Sequence, residues 1–382
     1  MKFRTLSKTD ANIYKGIAIL MIVIHNFMHL FPTPKEMEFG FNPNNVYIFL
    51  KTASNPELFI RSIFSYFGHF GVQIFIFLSA YGLSKKYTDR KFKYWRYMRK
   101  RFIAIYPSFF IAIILYTIVT LKIVPLLIEY GISGSFEYIY RNAIIFVSAN
   151  AESLALKISL ISNFVPGQAL TVVGPWWFIS FIFQFYFIFP VLNGIYSRFG
   201  NKGLLAISII GISLTLLMRG QLLDINIYFT IIPHLPEFCL GMYFAKHDKN
   251  GIELPLKLFI IALVVYVLGN FNQEFWYLTH ISFLILLLMA LNLALPVIIS
   301  NTKTKMFFGF FGAISLPLFL VNGFLRGPFI TWAIDKNDWL HTISLCLLSL
   351  GISVIMAFLL LKTEKYLTRK IWGVPLQTRE NQ

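Results

Sequence analysis

Long apolar runs, separated by short polar or charged stretches, recur along the whole chain of 382 residues. A helix that crosses the core of a bilayer needs about 20 mostly apolar residues, because that core is about 30 Å thick. We identify ten such runs, at residues 13–31, 62–84, 101–124, 175–197, 202–219, 226–246, 254–270, 274–298, 306–325 and 339–362. The pattern predicts an all-α fold, a polytopic integral membrane helical bundle of about ten transmembrane helices.

The composition excludes most other classes of protein. Hydrophobic residues make up 57% of the chain and charged residues 13%, whereas about a quarter of a soluble domain is charged. Soluble, disordered, collagen-like and disulfide-framework proteins are therefore excluded. Cys239 and Cys346, the two cysteines, lie in apolar runs and are expected to be buried apolar side chains.

The basic residues orient the predicted bundle. The chain has 34 Lys and Arg against 17 Asp and Glu, a formal net charge of +17. With both termini in the cytoplasm, 25 of the 34 basic residues fall on the cytoplasmic side, as the positive-inside rule requires. The excess positive charge is therefore explained by the orientation of the protein in the membrane. No nucleic-acid partner is expected.

Residues 125–174 are expected outside the membrane, with re-entrant or interfacial helices and loops at their glycines and prolines. A crossing here would invert every later loop and place most later basic residues outside. We expect residues 1–365 to form one membrane domain, followed by a cytoplasmic tail at 366–382 without a fused soluble domain.

Ionisable residues inside apolar runs are the first candidates for chemistry, since each costs about 2.5–3.5 kcal/mol at the bilayer centre. His25 falls about 18 Å along the first run, and His29 lies one helical turn further on the same face. Glu237 is expected about 16 Å into the sixth run, with His234 three residues earlier. A histidine and a carboxylate at one depth could be a general base and its orienting partner. We therefore predict His25, Glu237 and His29 as catalytic residues.

Other interpretations of these residues stay open. A buried histidine can simply hydrogen-bond to a neighbouring helix. His25 and His29 have the spacing of metal ligands, but no carboxylate or cysteine lies between them, and no metal is expected. His69 and His280 are expected near the outer interface.

A strongly basic stretch follows the second run, at residues 85–101 (KKYTDRKFKYWRYMRKR). Such a stretch can bind the head groups of anionic membrane lipids. It could also attract a phosphorylated cytoplasmic donor. The two interpretations are compatible.

Six segments of the sequence resemble motifs of the membrane-bound acyltransferase-3 family, in the order in which that family has them. They are residues 14–20 (YKGIAIL) before His25, 71–82 (GVQIFIFLSAYG), 101–107 (RFIAIYP), 176–190 (beginning WWFIS), 235–241 (LPEFCLG) and 315–322 (SLPLFLVN).

The resemblance implies an O-acyltransferase in the plasma (inner) membrane of a bacterium. Such an enzyme moves an acyl group, often acetyl from cytoplasmic acetyl-CoA, to a hydroxyl of an extracytoplasmic glycan. It implies a catalytic role for His25 and, together with the basic inner face, a role in binding coenzyme A for Lys15, Arg99, Lys100 and Arg101. For the acceptor we predict contacts from Trp177, Gln184, Asn322 and Tyr106.

The sequence departs from the family pattern at several positions. Lys15 stands where the family has an arginine, and it precedes His25 by ten residues instead of eleven. Ala104 replaces the second arginine of the family's R-x-x-R motif, and Asn322 replaces a histidine. These departures leave open two alternatives, a non-enzymatic exporter of a glycan or lipid, and acylation of a peptide or small molecule.

Overall fold

The computed structural model of the chain describes residues 2–31, 35–87, 93–336 and 338–372. Most of the described chain is helical. The described strands form two antiparallel pairs, and each strand has two residues. The helices are α1 (Lys8–Met28), α2 (Asn44–Ala53), α3 (Phe59–Phe67), α4 (Gly71–Tyr87), α5 (Tyr94–Thr120), α6 (Ile123–Ile158), α7 (Trp177–Met218), α8 (Leu235–His247), α9 (Leu256–Gly269), α10 (Gln273–Trp276), α11 (Thr279–Ser300), α12 (Thr302–Ala313), α13 (Ser315–Leu325), α14 (Gly327–Lys336) and α15 (Trp339–Trp372). The strands are β1 (Lys2–Phe3), β2 (Gln221–Leu222), β3 (Ile225–Asn226) and β4 (Ile252–Glu253).

Six helical segments of the described chain are long and apolar enough to cross a membrane. They are Lys8–Met28, Phe59–Tyr87, Tyr94–Thr120, Gly174–Met218, Thr279–Ser300 and Trp339–Lys370. A seventh is obtained if α12 and α13, which meet at an angle of 71°, form one broken span. The chain is therefore an all-α, multi-pass membrane protein, as the apolar runs predict.

The predicted fourth and fifth runs form a single helical element, α7, of 42 residues. The backbone of α7 breaks at Gly200, where φ is 59° and ψ is −141°. This conformation suits glycine because it carries no Cβ atom. The two predicted runs thus correspond to the two halves of α7.

The sixth and seventh predicted runs give shorter helices than expected. Helix α8 has 13 residues and α9 has 14, each about 20 Å long and shorter than the bilayer core. Helix α8 begins only at Leu235, after the paired strands β2 and β3 and an irregular segment. Pro236 fits its first turn, where the missing N–H group is not needed. Helix length alone therefore does not reproduce the predicted number of about ten transmembrane helices.

Residues 125–174, expected to contain re-entrant or interfacial helices and loops, are mostly helical. Helix α6 extends over Ile123–Ile158 and bends at Gly131, where φ is 65°. Several of its large apolar side chains are exposed, among them Ile128 and Phe136. Exposed apolar side chains are compatible with the predicted interfacial location of this segment.

Segments that the charge pattern places on one side of the membrane do meet in the structure. Strand β1 near the N-terminus pairs with β4, and the Thr5 hydroxyl donates to the Asp248 carbonyl at 3.1 Å. Lys85, at the start of the basic stretch, forms an ion pair with Asp248. Residues 88–92 of that stretch and 373–382 of the predicted tail lie outside the described residues, and residues 366–372 continue α15.

Helix α1 occupies a central position, because it packs against α3, α4, α12, α13 and α15. Its buried side chains contribute to both of the large apolar clusters that make up the core. A polar side chain on α1 is therefore surrounded by protein, which makes its partners informative.

Candidate active site

His25 lies in the last turn of α1 and is 4% exposed. Its Nδ1 atom is 3.1 Å from the backbone carbonyl oxygen of Phe64, at the end of α3. A carbonyl oxygen only accepts hydrogen bonds, so Nδ1 carries the proton in this contact. The lone pair of the neutral ring is then on Nε2, which is the atom that can act as a base.

Gly68, between α3 and α4, brings a second backbone segment directly against His25. A Cβ atom at Gly68 would lie 2.5 Å from the Cβ atom of His25 and 2.8 Å from the carbonyl oxygen of Met21. Only a residue without a side chain permits this approach. The close contact fixes the position of the imidazole relative to α3 and α4.

His29 continues the polar face of α1 and meets a carboxylate from the following loop. The rings of His25 and His29 are 4.7 Å apart, and the Nδ1 atom of His29 is 3.2 Å from an oxygen of Glu36. Burial tends to raise the pKa of the Glu36 carboxyl, but the hydrogen bond from His29 and the charge interactions with the nearby histidines His25, His29 and His69 together lower that pKa below its usual range. Glu36 is therefore an ionised partner for the two histidines.

No sequence pattern indicated Glu36 as a site residue. It follows His29 by seven residues, in a loop whose course cannot be derived from an apolar pattern. A carboxylate just beyond a span that carries two histidines is the only signal that could have indicated it.

Glu237, predicted to accompany His25, belongs to a separate cluster with His234 and His280. One oxygen of Glu237 is 3.6 Å from the Nδ1 atom of His234, and the rings of His234 and His280 are 5.2 Å apart. His69 lies between the two clusters, with its ring 5.7 Å from that of His25 and 6.4 Å from that of His280. Glu237 is in the first turn of α8, so the expected depth along a full-length span does not apply.

His69 and His280, expected at an interface, are 3% and 2% exposed. Each lies at the start of a helical segment, where other polar side chains surround it. The apolar pattern correctly placed both residues in spanning segments but could not show that their rings face the interior.

Lys15 lines a cavity of about 200 Å³ between α1, α4, α5, α7 and α13. The remaining lining is mostly apolar, with hydroxyl groups from Ser79, Tyr186 and Ser315. Arg101 reaches the same place from α5, since its guanidinium carbon is 5.7 Å from the centre of the Tyr186 ring. The structure therefore brings together two of the four residues predicted to bind coenzyme A.

Arg99 and Lys100, the other two, lie at the cytoplasmic end predicted for α5. Arg99 is exposed and Lys100 is half-buried. Two guanidinium nitrogens of Arg101 are buried without a hydrogen-bond partner among the described residues. Arg101 thus has unused donors, which an anionic group could occupy.

Asn322 in α13 connects this helix to α1. Its amide oxygen accepts a hydrogen bond from the side chain of Asn26 at 3.0 Å, and its own amide group donates to the Leu318 and Phe319 carbonyls. Asn322 is 2% exposed and lies next to the residue that follows His25. Its hydrogen bonds are therefore used within the protein.

The remaining predicted acceptor contacts are also engaged in packing or hydrogen bonds. Trp177 is 5% exposed, and its ring lies 5.3 Å from that of Phe39 and 5.7 Å from that of Phe229. Gln184 accepts a hydrogen bond from the Ile231 amide at 3.2 Å. The Tyr106 hydroxyl donates to the Ile158 carbonyl. The role of all three in acceptor binding stays a prediction.

Comparisons with known proteins identify the family of the chain. The family model described as an acyltransferase domain matches residues 9–358, which include all of the candidate residues above. No curated protein and no solved structure matches the chain. The match covers most of the sequence, and the chain belongs to the acyltransferase-3 family of membrane-bound acyltransferases.

Proposed function

We propose that this protein transfers an acyl group, most simply acetyl, from cytoplasmic acyl-CoA to a hydroxyl of a surface polysaccharide or glycolipid. In this proposal the protein resides in the bacterial inner membrane, with ten passes and both termini in the cytoplasm. The observation that carries the proposal is the position of His25, whose Nδ1 donates to Phe64 and whose Nε2 is left as a base. Membership of an acyltransferase family supports the reaction class.

The cavity at Lys15 is the proposed entrance for the donor. Its largely apolar lining suits the thioester end of acyl-CoA, and Lys15 and Arg101 supply positive charge for the phosphates. Ile22, which also lines the cavity, precedes His25 by three residues, or about 4.5 Å along the helix axis. The thioester carbonyl of the donor can thus approach His25 from the cytoplasmic side. The acceptor hydroxyl approaches from the outer side.

The proposed reaction uses the histidine as base and then as acid. Nε2 of His25 takes the proton of the acceptor hydroxyl while the hydroxyl oxygen attacks the thioester carbonyl. The carbon–sulfur bond then breaks, and the coenzyme A thiolate receives the proton back from His25. The ionised Glu36 stabilises the transient positive charge through His29, whose ring is 4.7 Å from that of His25.

The proposed topology rests on charge and on contacts between loops. The 25 basic residues assigned to the inner side would bind anionic head groups and attract coenzyme A. On the opposite side, Asn226 donates to the Phe39 carbonyl at 2.6 Å, and Trp276 donates to the Met37 carbonyl at 2.8 Å. These contacts join the first predicted outer loop to residues at the predicted outer ends of the sixth and eighth runs.

The test compares His25→Ala with His341→Ala, a histidine in the first turn of α15 and outside both clusters. We expect His25→Ala to lower acyl transfer by about 10²-fold or more, because it removes the general base. The readout is the O-acetyl content of purified surface glycan by mass spectrometry, at equal protein level in the membrane. Unchanged acetylation in His25→Ala would contradict the proposal, and loss of glycan export with normal acetylation would favour the exporter.

A further inference from the structure

His234, Glu237 and His280 form a buried cluster that the proposed acyl transfer does not use. They are 2%, 0% and 2% exposed, respectively. One ligand-type atom from each lies within 4.8 Å of the other two. The three residues come from the first turns of α8 and α11 and from the residue just before α8, so the cluster joins two helices at their N-terminal ends.

The hydrogen bonds of this cluster do not balance within the described residues. The Nε2 atom of His234 contacts the Tyr228 carbonyl at 3.2 Å, so Nε2 carries the proton of the neutral ring. The lone pair on Nδ1 then faces an oxygen of Glu237 at 3.6 Å, which places two acceptors opposite each other. Both oxygens of Glu237 and both ring nitrogens of His280 are buried without a hydrogen-bond partner in the part of the chain that the structure describes.

An additional proton cannot satisfy this cluster. A proton on His234 would give an ion pair with Glu237, but both nitrogens of His280 would still lack a partner. Buried polar groups without partners are costly, and an unpaired buried carboxylate is especially so. A cation placed among the three side chains would bind one nitrogen or oxygen atom of each.

We propose that His234, Glu237 and His280 bind a zinc ion. Two imidazole nitrogens and one carboxylate oxygen are a common set of zinc ligands. Around tetrahedral zinc, with bonds of about 2.0–2.1 Å, such atoms lie about 3.3 Å apart, close to the 3.6 Å between His234 and Glu237. The hydrogen bond from His234 to the Tyr228 carbonyl is the kind of contact that orients a metal-binding histidine.

The fourth ligand in this proposal is the hydroxyl of Tyr228, which is also buried and has no hydrogen-bond partner among residues 2–31, 35–87, 93–336 and 338–372. The Tyr228 ring lies 5.2 Å from the ring of His280 and 6.0 Å from that of His234. With four protein ligands the site is closed and structural. The zinc ion would hold the start of α8 against the start of α11. His69 lies between this zinc site and His25.

The metal content of the purified full-length protein tests the proposal. The protein is prepared in detergent without a polyhistidine tag, and zinc and the other first-row transition metals are measured by mass spectrometry. We expect about one zinc per chain in the wild type and loss of that zinc in His280→Ala and Glu237→Gln. Less than about 0.1 metal per chain in the wild type, even after incubation with zinc, would overturn the proposal.

His29→Gln is the matched control, because His29 belongs to the other cluster of possible ligands. We expect His29→Gln to keep its zinc, and loss of zinc from this variant would place the metal beside His25 and overturn the assignment. A titration with Co²⁺ of the wild type, from which zinc has first been removed with a chelator, covers the case in which the variants do not fold. Visible absorption bands of tetrahedral Co²⁺ are expected, and their absence would also contradict the proposed site.

Discussion

Replacement of Gly68 by alanine is the most direct test of how the candidate active site is held. Gly68 has φ of −67° and ψ of −25°, which alanine also adopts, so the backbone itself is not strained by the change. The new Cβ atom would lie 2.5 Å from the Cβ atom of His25, whereas ordinary van der Waals contact begins at 3.4 Å. The shortfall is about 0.9 Å, and neither a helix backbone nor a Cβ atom can rotate away from it.

We expect this displacement to reduce the rate of acyl transfer by about 10²-fold, because a catalytic group misplaced by about 1 Å loses about that factor. The overpacking should also destabilise the protein by about 1–3 kcal/mol. The rate is measured with labelled acyl-CoA in membranes, and folding is followed by thermal unfolding in detergent.

The matched control is Gly82→Ala, in α4, where a new Cβ atom would meet nothing within 4 Å. Its activity should stay within about twofold of the wild type, as for other substitutions that disturb no packing. Full activity in a folded Gly68→Ala protein would refute the argument that this contact positions His25.

Two further predictions concern charged side chains outside the spanning segments. Glu36→Gln should lower acyl transfer by about tenfold or more at constant protein level, because it removes the negative charge beside His29; activity equal to the wild type would exclude Glu36 from the mechanism. Lys157 is buried and donates to the Ala169 carbonyl, and burial lowers the pKa of Lys157 to about 7. Between pH 7 and the ordinary value of 10.5 the unfolded chain holds a proton that the folded protein lacks, so stability should rise with pH in that window. Lys157→Met should therefore lack this rise in the unfolding temperature, and an identical pH dependence of the two proteins would contradict the prediction.

Several features of the fold could be predicted because they depend on the chain locally. The apolar runs identified the spanning segments that form α1, α5, α11 and α15, since a bilayer demands a minimum apolar length. The pattern also placed His25 in the first span and the N-terminal segment on the same side as residues 246–257, where β1 pairs with β4.

Other features depend on how distant segments meet, which an apolar pattern does not record. The start of α8 at Leu235 and the break of α7 at Gly200 changed the depth expected for Glu237 and the count of full-length helices. Trp177, predicted to contact the acceptor, is covered by phenylalanine rings from other segments.

Apolar runs and motifs are enough to show that this is an all-α membrane protein, to indicate the family that it resembles and to select His25 as the foremost polar residue inside a span. The partners of His25 became known only from the packing of the helices. Phe64 and Glu36 meet α1 from segments outside it, whereas Glu237 joins His234 and His280 in a second cluster. This difference arises because hydropathy measures how much apolar surface a helix offers to lipid and protein together. Which polar side chains face one another is fixed by the rotation and crossing of packed helices, here set by close contacts such as Gly68 on His25.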